Sequence, residues 1–132
     1  MGLVNTQTGG SGGGSGLPDA IFQIQRVNTP VGSAFALEHV AGDAFAGSVA
    51  NTMVCNVAGD YVLSALIWPT ASGNHTLRKN GVDEAVFTLI GNDVNIIATK
   101  TISAVGDEYQ WVNNTASSTF PTVFTFEWRL IA

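Results

Sequence analysis

Val123-Phe124-Thr125-Phe126-Glu127-Trp128-Arg129-Leu130 alternates without a break, with Phe124, Phe126, Trp128 and Leu130 on one side and Thr125, Glu127 and Arg129 on the other. A β-strand sends successive side chains to opposite faces, so this period of two describes a strand with one face on a core and the other turned outward. Further upstream, the stretch from Tyr61 to Trp68 behaves differently. Tyr61, Leu63, Ala65 and Ile67 share one face, while Val62, Leu66 and Trp68 share the other. A strand apolar on both sides needs cover on both sides. In a two-layer sandwich the second cover comes from a loop or from another subunit.

Working outward from these two stretches, the chain from Ile21 onward is a series of short runs rich in Val, Ile, Thr and aromatic residues, each bounded by Gly, Pro, Asn or Asp. Such runs predict strands, here over 20–27, 33–38, 47–57, 60–68, 74–79, 84–90, 94–104, 108–113 and 121–131. No stretch holds a 3.6-residue period over helical length, so an all-β fold is expected. Asn80-Gly81 supplies the residues that a tight hairpin turn prefers, between Thr76-Leu77-Arg78 and Val86-Phe87-Thr88. Breaks at 58–60, 91–93 and 106–107 space the strands as a sandwich or jelly roll does.

The chain of 132 residues has the length of one domain. Only 11% of it is charged, against about 25% in an ordinary globular domain, so much of the exterior is neutral or covered by another subunit. Ten acids stand against five cations, and Arg26, Arg78, Lys79, Lys100 and Arg129 are scattered apart from one adjacent pair. Such a chain can neutralise few phosphates, and no nucleic-acid partner is expected. Cys55 is the single cysteine; it excludes an intramolecular disulfide and is expected as a small buried hydrophobe. The first residues lack the charged and apolar regions of a secretory signal, and no apolar run reaches membrane-spanning length. Cytoplasmic synthesis and no membrane partner are the expectations.

Residues 9–16 read Gly-Gly-Ser-Gly-Gly-Gly-Ser-Gly, a composition that behaves as a flexible tether. The sequence therefore divides into an arm, 1–16, and a folded domain, 17–132; the arm is open to reading as an engineered linker or a native segment, and Leu3-Val4-Asn5 ahead of the glycines, with no purification tag, favours a native one. Leu3, Val4 and Asn5 ahead of the tether are the candidate docking residues of the arm.

Catalytic apparatus is not visible. His39 and His75 have no partner at metal-ligand spacing, and His75, beside a turn, is expected to be solvated. The sequence has no Gly-x-Ser-x-Gly elbow, no zinc-protease helix motif and no phosphate-binding loop. Asp83-Glu84 and Asp107-Glu108 are neighbours whose side chains diverge along a strand, so they read as turn and solubility residues. No calcium site can be assembled from Asp60, Asp93 and Asp107 by sequence alone. No catalytic residue, metal or cofactor is expected.

Gly59-Asp60-Tyr61-Val62-Leu63-Ser64, Leu77-Arg78-Lys79-Asn80-Gly81 and Ile102-Ser103-Ala104-Val105-Gly106-Asp107-Glu108-Tyr109 occur one after another, and the aromatic strand 124–130 closes the series. In that order they resemble the C1q/TNF-like jelly roll, over about residues 20–132. Leu63 stands where the family usually has Phe, and no collagen segment precedes the domain. The resemblance implies an antiparallel two-sheet jelly-roll sandwich that forms a homotrimer. The sheet holding the first strand, the last strand and the Gly-Asp-Tyr strand would pack around the three-fold axis, with Tyr61, Tyr109 and Trp111 at or near the contact. The better match is to phage and bacterial proteins that carry such a domain on a short arm. The function this implies is that of a non-enzymatic virion protein on the capsid surface, a decoration, cement or head-fibre trimer whose arm docks on another virion protein. The alternatives are a tail-fibre or spike tip whose loops, such as 113–120, touch a host receptor, and a C1q/TNF-like extracellular binding module.

Overall fold

A computed structural model of the chain describes residues 17–25, 28–48, 51–114 and 123–131. The described residues form ten strands and no helix: β1 (Ala20–Ile24), β2 (Leu37–Ala41), β3 (Phe45–Ser48), β4 (Thr52–Cys55), β5 (Gly59–Trp68), β6 (Gly73–Lys79), β7 (Val82–Leu89), β8 (Asn95–Ser103), β9 (Glu108–Asn113) and β10 (Val123–Leu130). They build two antiparallel five-stranded sheets, in the orders β2-β1-β10-β5-β8 and β3-β4-β9-β6-β7. The first strand, the last strand and the Gly-Asp-Tyr strand lie in one sheet, as expected.

Two of the expected strands need correction. The run 47–57 is a hairpin rather than one strand, because Asn51 turns the chain at a φ of 57° between β3 and β4. Asn is among the few residues that tolerate this left-handed conformation, so the turn needs no glycine. The run 33–38 joins its sheet only from Leu37. Ahead of that it runs beside β9, where Phe35 N–H donates to Trp111 C=O at 2.9 Å and Asn113 N–H donates to Ser33 C=O at 3.0 Å. The expected Asn80-Gly81 hairpin is present, with φ values of 51° and 81°, both left-handed, as a two-residue primed turn requires.

Between the sheets lies an aromatic core. Phe124, Phe126 and Trp128 of β10 are buried, on the face that their alternation marks. Trp128 stacks on Phe45 of β3 with centroids 4.0 Å apart, and its indole N–H donates to Met53 Sδ of β4 at 3.4 Å. Trp111 of β9 stacks on Phe87 of β7 at 5.3 Å and meets Phe126 at 5.0 Å. Contacts of this kind add about 0.5–1.5 kcal/mol each to the burial of the rings. They fix the two sheets face to face and leave each sheet one outward face.

At one end of the sandwich the turns are tied together. Ala44 N–H donates to Asp19 C=O at 3.2 Å, Asn56 N–H to Ala44 C=O at 2.7 Å, Cys55 N–H to Asp107 C=O at 2.9 Å and Asn80 N–H to Glu108 C=O at 2.7 Å. Gly42 makes the first of these approaches possible. Its φ is 80°, and a Cβ there would lie 2.3 Å from Asp19 O.

Candidate assembly surface

Residues pointing outward from the first sheet are set by its register. Leu66 of β5 pairs with Ile96 of β8 on one side and with Thr125 of β10 on the other, and Asp60 pairs with Ile102. Leu66 and Trp68 are 38% and 40% exposed, and Ile96 and Ile102 are 80% and 72% exposed. The opposite face of β5 is closed, with Tyr61, Leu63, Ala65 and Ile67 all buried. The doubly apolar character read from the sequence is therefore real, and within one chain only the inner half of it is covered.

A shallow groove of about 350 Å³ runs across this outward face, lined by Ser64, Leu66, Ile96, Thr125 and Glu127. On β7, the edge strand of the second sheet, Val86 is also exposed, as are Ile90 and Val94 in the connection from β7 to β8. On the outward face of the first sheet these apolar positions alternate with charge, Lys100 standing between Ile96 and Ile102 on β8 and the Arg129–Glu127 pair on β10. Scattered exposed hydrophobics are ordinary, but Leu66 and Ile96, paired across β5 and β8 and lining one groove, make a candidate interaction surface.

The residues expected at a subunit contact are placed elsewhere. Tyr61, Tyr109 and Trp111 have no exposed surface. Tyr61 OH donates to Val57 C=O at 2.5 Å, Tyr109 OH lies 2.5 Å from Ser103 Oγ and 3.0 Å from Thr101 Oγ1, and Trp111 Nε1–H donates to His75 at 2.9 Å. These side chains are spent inside the sandwich and offer nothing to a second copy. The outward neighbours of Tyr61 on β5, among them Leu66 and Trp68, are the positions a second copy can reach. An alternating strand reveals that both faces are apolar; it does not reveal which one the chain's own second sheet covers. Leu3, Val4 and Asn5 of the arm lie outside the described residues.

His75 also departs from expectation. It is fully buried on β6 rather than solvated, between Phe35 at 4.9 Å and Phe124 at 5.8 Å. Burial lowers its pKa from 6.5 to about 4. His39 is exposed, with Nε2 2.5 Å from Gly42 O. Cys55 is a buried free thiol, as expected, and burial raises its pKa. Asp83 pairs with Arg78 at 3.1 Å, and Asp107 lies 3.6 Å from Lys79, so these acids serve the turns around them. Among the described residues no group of three or more His, Cys, Asp or Glu converges on a metal position.

An antiparallel jelly roll with this strand order and this closed aromatic interior is the C1q/TNF-like fold. Among solved structures the chain is similar to Eiger TNF from S. frugiperda, with a TM-score of 0.62 and 14% identity over 86% of this chain and 91% of that one. It is also similar to rabbit GITRL, with a TM-score of 0.59 and 11% identity over 86% and 94% of the two chains. The globular domain of zebrafish complement 1qA gives a TM-score of 0.57 and 14% identity over 86% and 98%. At these identities the likeness is one of fold. No protein-family model matches the sequence, and no curated protein matches it.

Proposed function

We propose that the chain is a non-enzymatic structural protein of a bacteriophage particle, a trimeric capsid decoration or head-fibre module held to the shell through its N-terminal arm. The observation that carries the assembly is the outward face bearing Leu66, Trp68, Ile96 and Ile102, together with the exposed Val86 of the edge strand β7 and Ile90 and Val94 of its connection to β8. Three copies close about an axis when the face of each meets a different patch, here that edge, of the next. The virion setting is supported by the low charge of the chain and by the glycine-serine tether ahead of a rigid β domain. A tether of this composition orders only when it binds.

Light scattering on the purified chain should report about three times its 13.8 kDa. Leu66→Asp with Ile96→Asp should return single folded copies, because each copy would otherwise enclose unpaired carboxylates. Deleting residues 2–16 should leave trimers that no longer attach to shells. A monomeric wild-type chain would reject the assembly, and a truncated chain that still decorates shells would reject the docking role of the arm.

A further inference from the structure

Asn80 and Gly81 join β6 to β7, and both are exposed. An asparagine followed by glycine is unusually reactive toward its own backbone, because no Cβ shields the next peptide nitrogen. Asn51 and Asn92 also turn the chain at left-handed φ values, 57° and 56°, but Thr52 and Asp93 follow them, and their side chains crowd that nitrogen. At the hairpin the nucleophile is free. Among the described residues Gly81 N–H donates to no acceptor, and no atom lies within 4 Å of where a Cβ on Gly81 would stand.

The carboxamide beside it is held. Asn80 Nδ2–H donates to Asp107 Oδ1 at 3.0 Å, Oδ1 accepts from Glu108 N–H at 2.9 Å, and the backbone N–H of Asn80 donates to Glu108 C=O at 2.7 Å. Both ends of the group are therefore fixed on the turn that precedes β9. Asp107 is itself anchored, since its Oδ2 accepts from Ala104 N–H at 2.8 Å and lies 3.6 Å from Lys79 Nζ. The N–H of Ala104 first, and then Asn80, keep its carboxyl below the usual carboxylate range. It stays an acceptor at the neutral and basic pH where peptide nitrogens react.

We propose that Asn80 is a latent deamidation site, held off by its bonds to the Asp107–Glu108 turn and released when those bonds open. In the reaction, base removes the proton of the Gly81 peptide nitrogen, whose electron pair attacks Asn80 Cγ. The Cγ–Nδ2 bond breaks, ammonia leaves with a proton, and a cyclic imide remains. Water then opens the imide at either carbonyl, leaving an aspartate or an isoaspartate whose main chain runs through Cγ. No oxidant or reductant takes part. Ring closure turns the carboxamide onto its own backbone, which it cannot do while both its ends bond to the next turn, so the native chain reacts only through local opening. The product cannot restore the link. An aspartate at this position has no N–H for Asp107 and meets it carboxylate to carboxylate. An isoaspartate adds a methylene between Lys79 and Val82, which pair directly across the hairpin. A transient loosening of this end is thereby made permanent.

The test follows residue 80 of the full chain in mildly basic buffer, by peptide mapping for the mass gain of amide to acid and for isoaspartate. Native wild type should react about tenfold or more slowly than the same chain unfolded in urea, the factor that breaking two ordinary hydrogen bonds implies. That comparison needs no variant and decides the question even where a substitution fails to fold. Asp107→Ala, with its native tryptophan fluorescence checked, should react severalfold faster than wild type, while Asp107→Asn, which keeps an acceptor, should stay close to wild type. Native wild type that deamidates at residue 80 as fast as the unfolded chain overturns the protection. A folded Asp107→Ala that is as slow as wild type overturns the bonds to the Asp107–Glu108 turn as its cause.

Discussion

The indole N–H of Trp111 donates to Nδ1 of His75 across 2.9 Å, between two side chains with no exposed surface. Nδ1 is therefore the acceptor and the neutral ring carries its proton on Nε2, an atom with no partner among the described residues. Protonating the ring would set two donors against each other inside an aromatic cage.

Acid should therefore weaken the fold through His75. Its pKa falls from 6.5 to about 4 because burial disfavours the charged ring, so below pH 6.5 the unfolded chain takes up a proton that the native chain refuses. Stability is lost as pH falls from about 6.5 to 4 and levels off below, by on the order of 3 kcal/mol from this group. Urea titrations across that range should show a loss in wild type that is smaller in His75→Gln, which keeps an acceptor for the indole. Equal pH dependence in the two proteins would exclude the histidine as its source.

Tyr109→Phe should lower stability by about 1–3 kcal/mol. The hydroxyl of Thr101 donates to Glu84 Oε2 at 2.6 Å, which leaves its oxygen to accept from Tyr109 OH, while Ser103 donates to the tyrosine. Deleting one hydroxyl breaks a chain that links β7, β8 and β9. The urea midpoint should drop at an unchanged slope.

Gly42→Ala is expected to be the harshest single methyl addition at the tied end. The new Cβ would lie 2.3 Å from Asp19 O, on a backbone whose φ is 80°. Neither the carbonyl nor the turn has a flexible side chain to move aside, and the fold should lose about 3 kcal/mol or more. A thermal midpoint close to wild type would show that Asp19 can give way.

Asn80 serves both its turn and the next one. Its Nδ2–H donates to Asp107 Oδ1 at 3.0 Å, and its Oδ1 accepts from Glu108 N–H at 2.9 Å. Asn80→Gly keeps the left-handed backbone and loses only these bonds, so it should cost about 1 kcal/mol, whereas Asn80→Ala adds backbone strain and should cost about 2 kcal/mol. In both, the Asp107 carboxyl, held low first by the backbone N–H of Ala104 and then by Asn80, should titrate closer to its ordinary range in an NMR pH series.

Local pattern carried most of the fold. The alternation of β10 placed Phe124, Phe126 and Trp128 inward, and Asn80-Gly81 marked its hairpin, because period and turn chemistry are properties of adjacent residues. The hairpin at Asn51 was illegible, since no glycine marks it and the flanking strands read as one apolar run. His75 was misplaced for a different reason. Gly73 and Asn74 suggest a turn beside it, while the residues that enclose it, Phe35, Trp111 and Phe124, are far away in sequence. The same limit moved the expected contact onto Tyr61, Tyr109 and Trp111, because a sequence shows how much apolar surface exists without showing which part the other sheet hides.

The bare flank formed by β7 and β8 also bears on how the chain must be made. Newly synthesised copies present unsatisfied strand edges beside greasy side chains, a template for indiscriminate stacking. Yield in a producing cell should then reflect a race between correct encounter and precipitation, with cooler, slower expression favouring the soluble product.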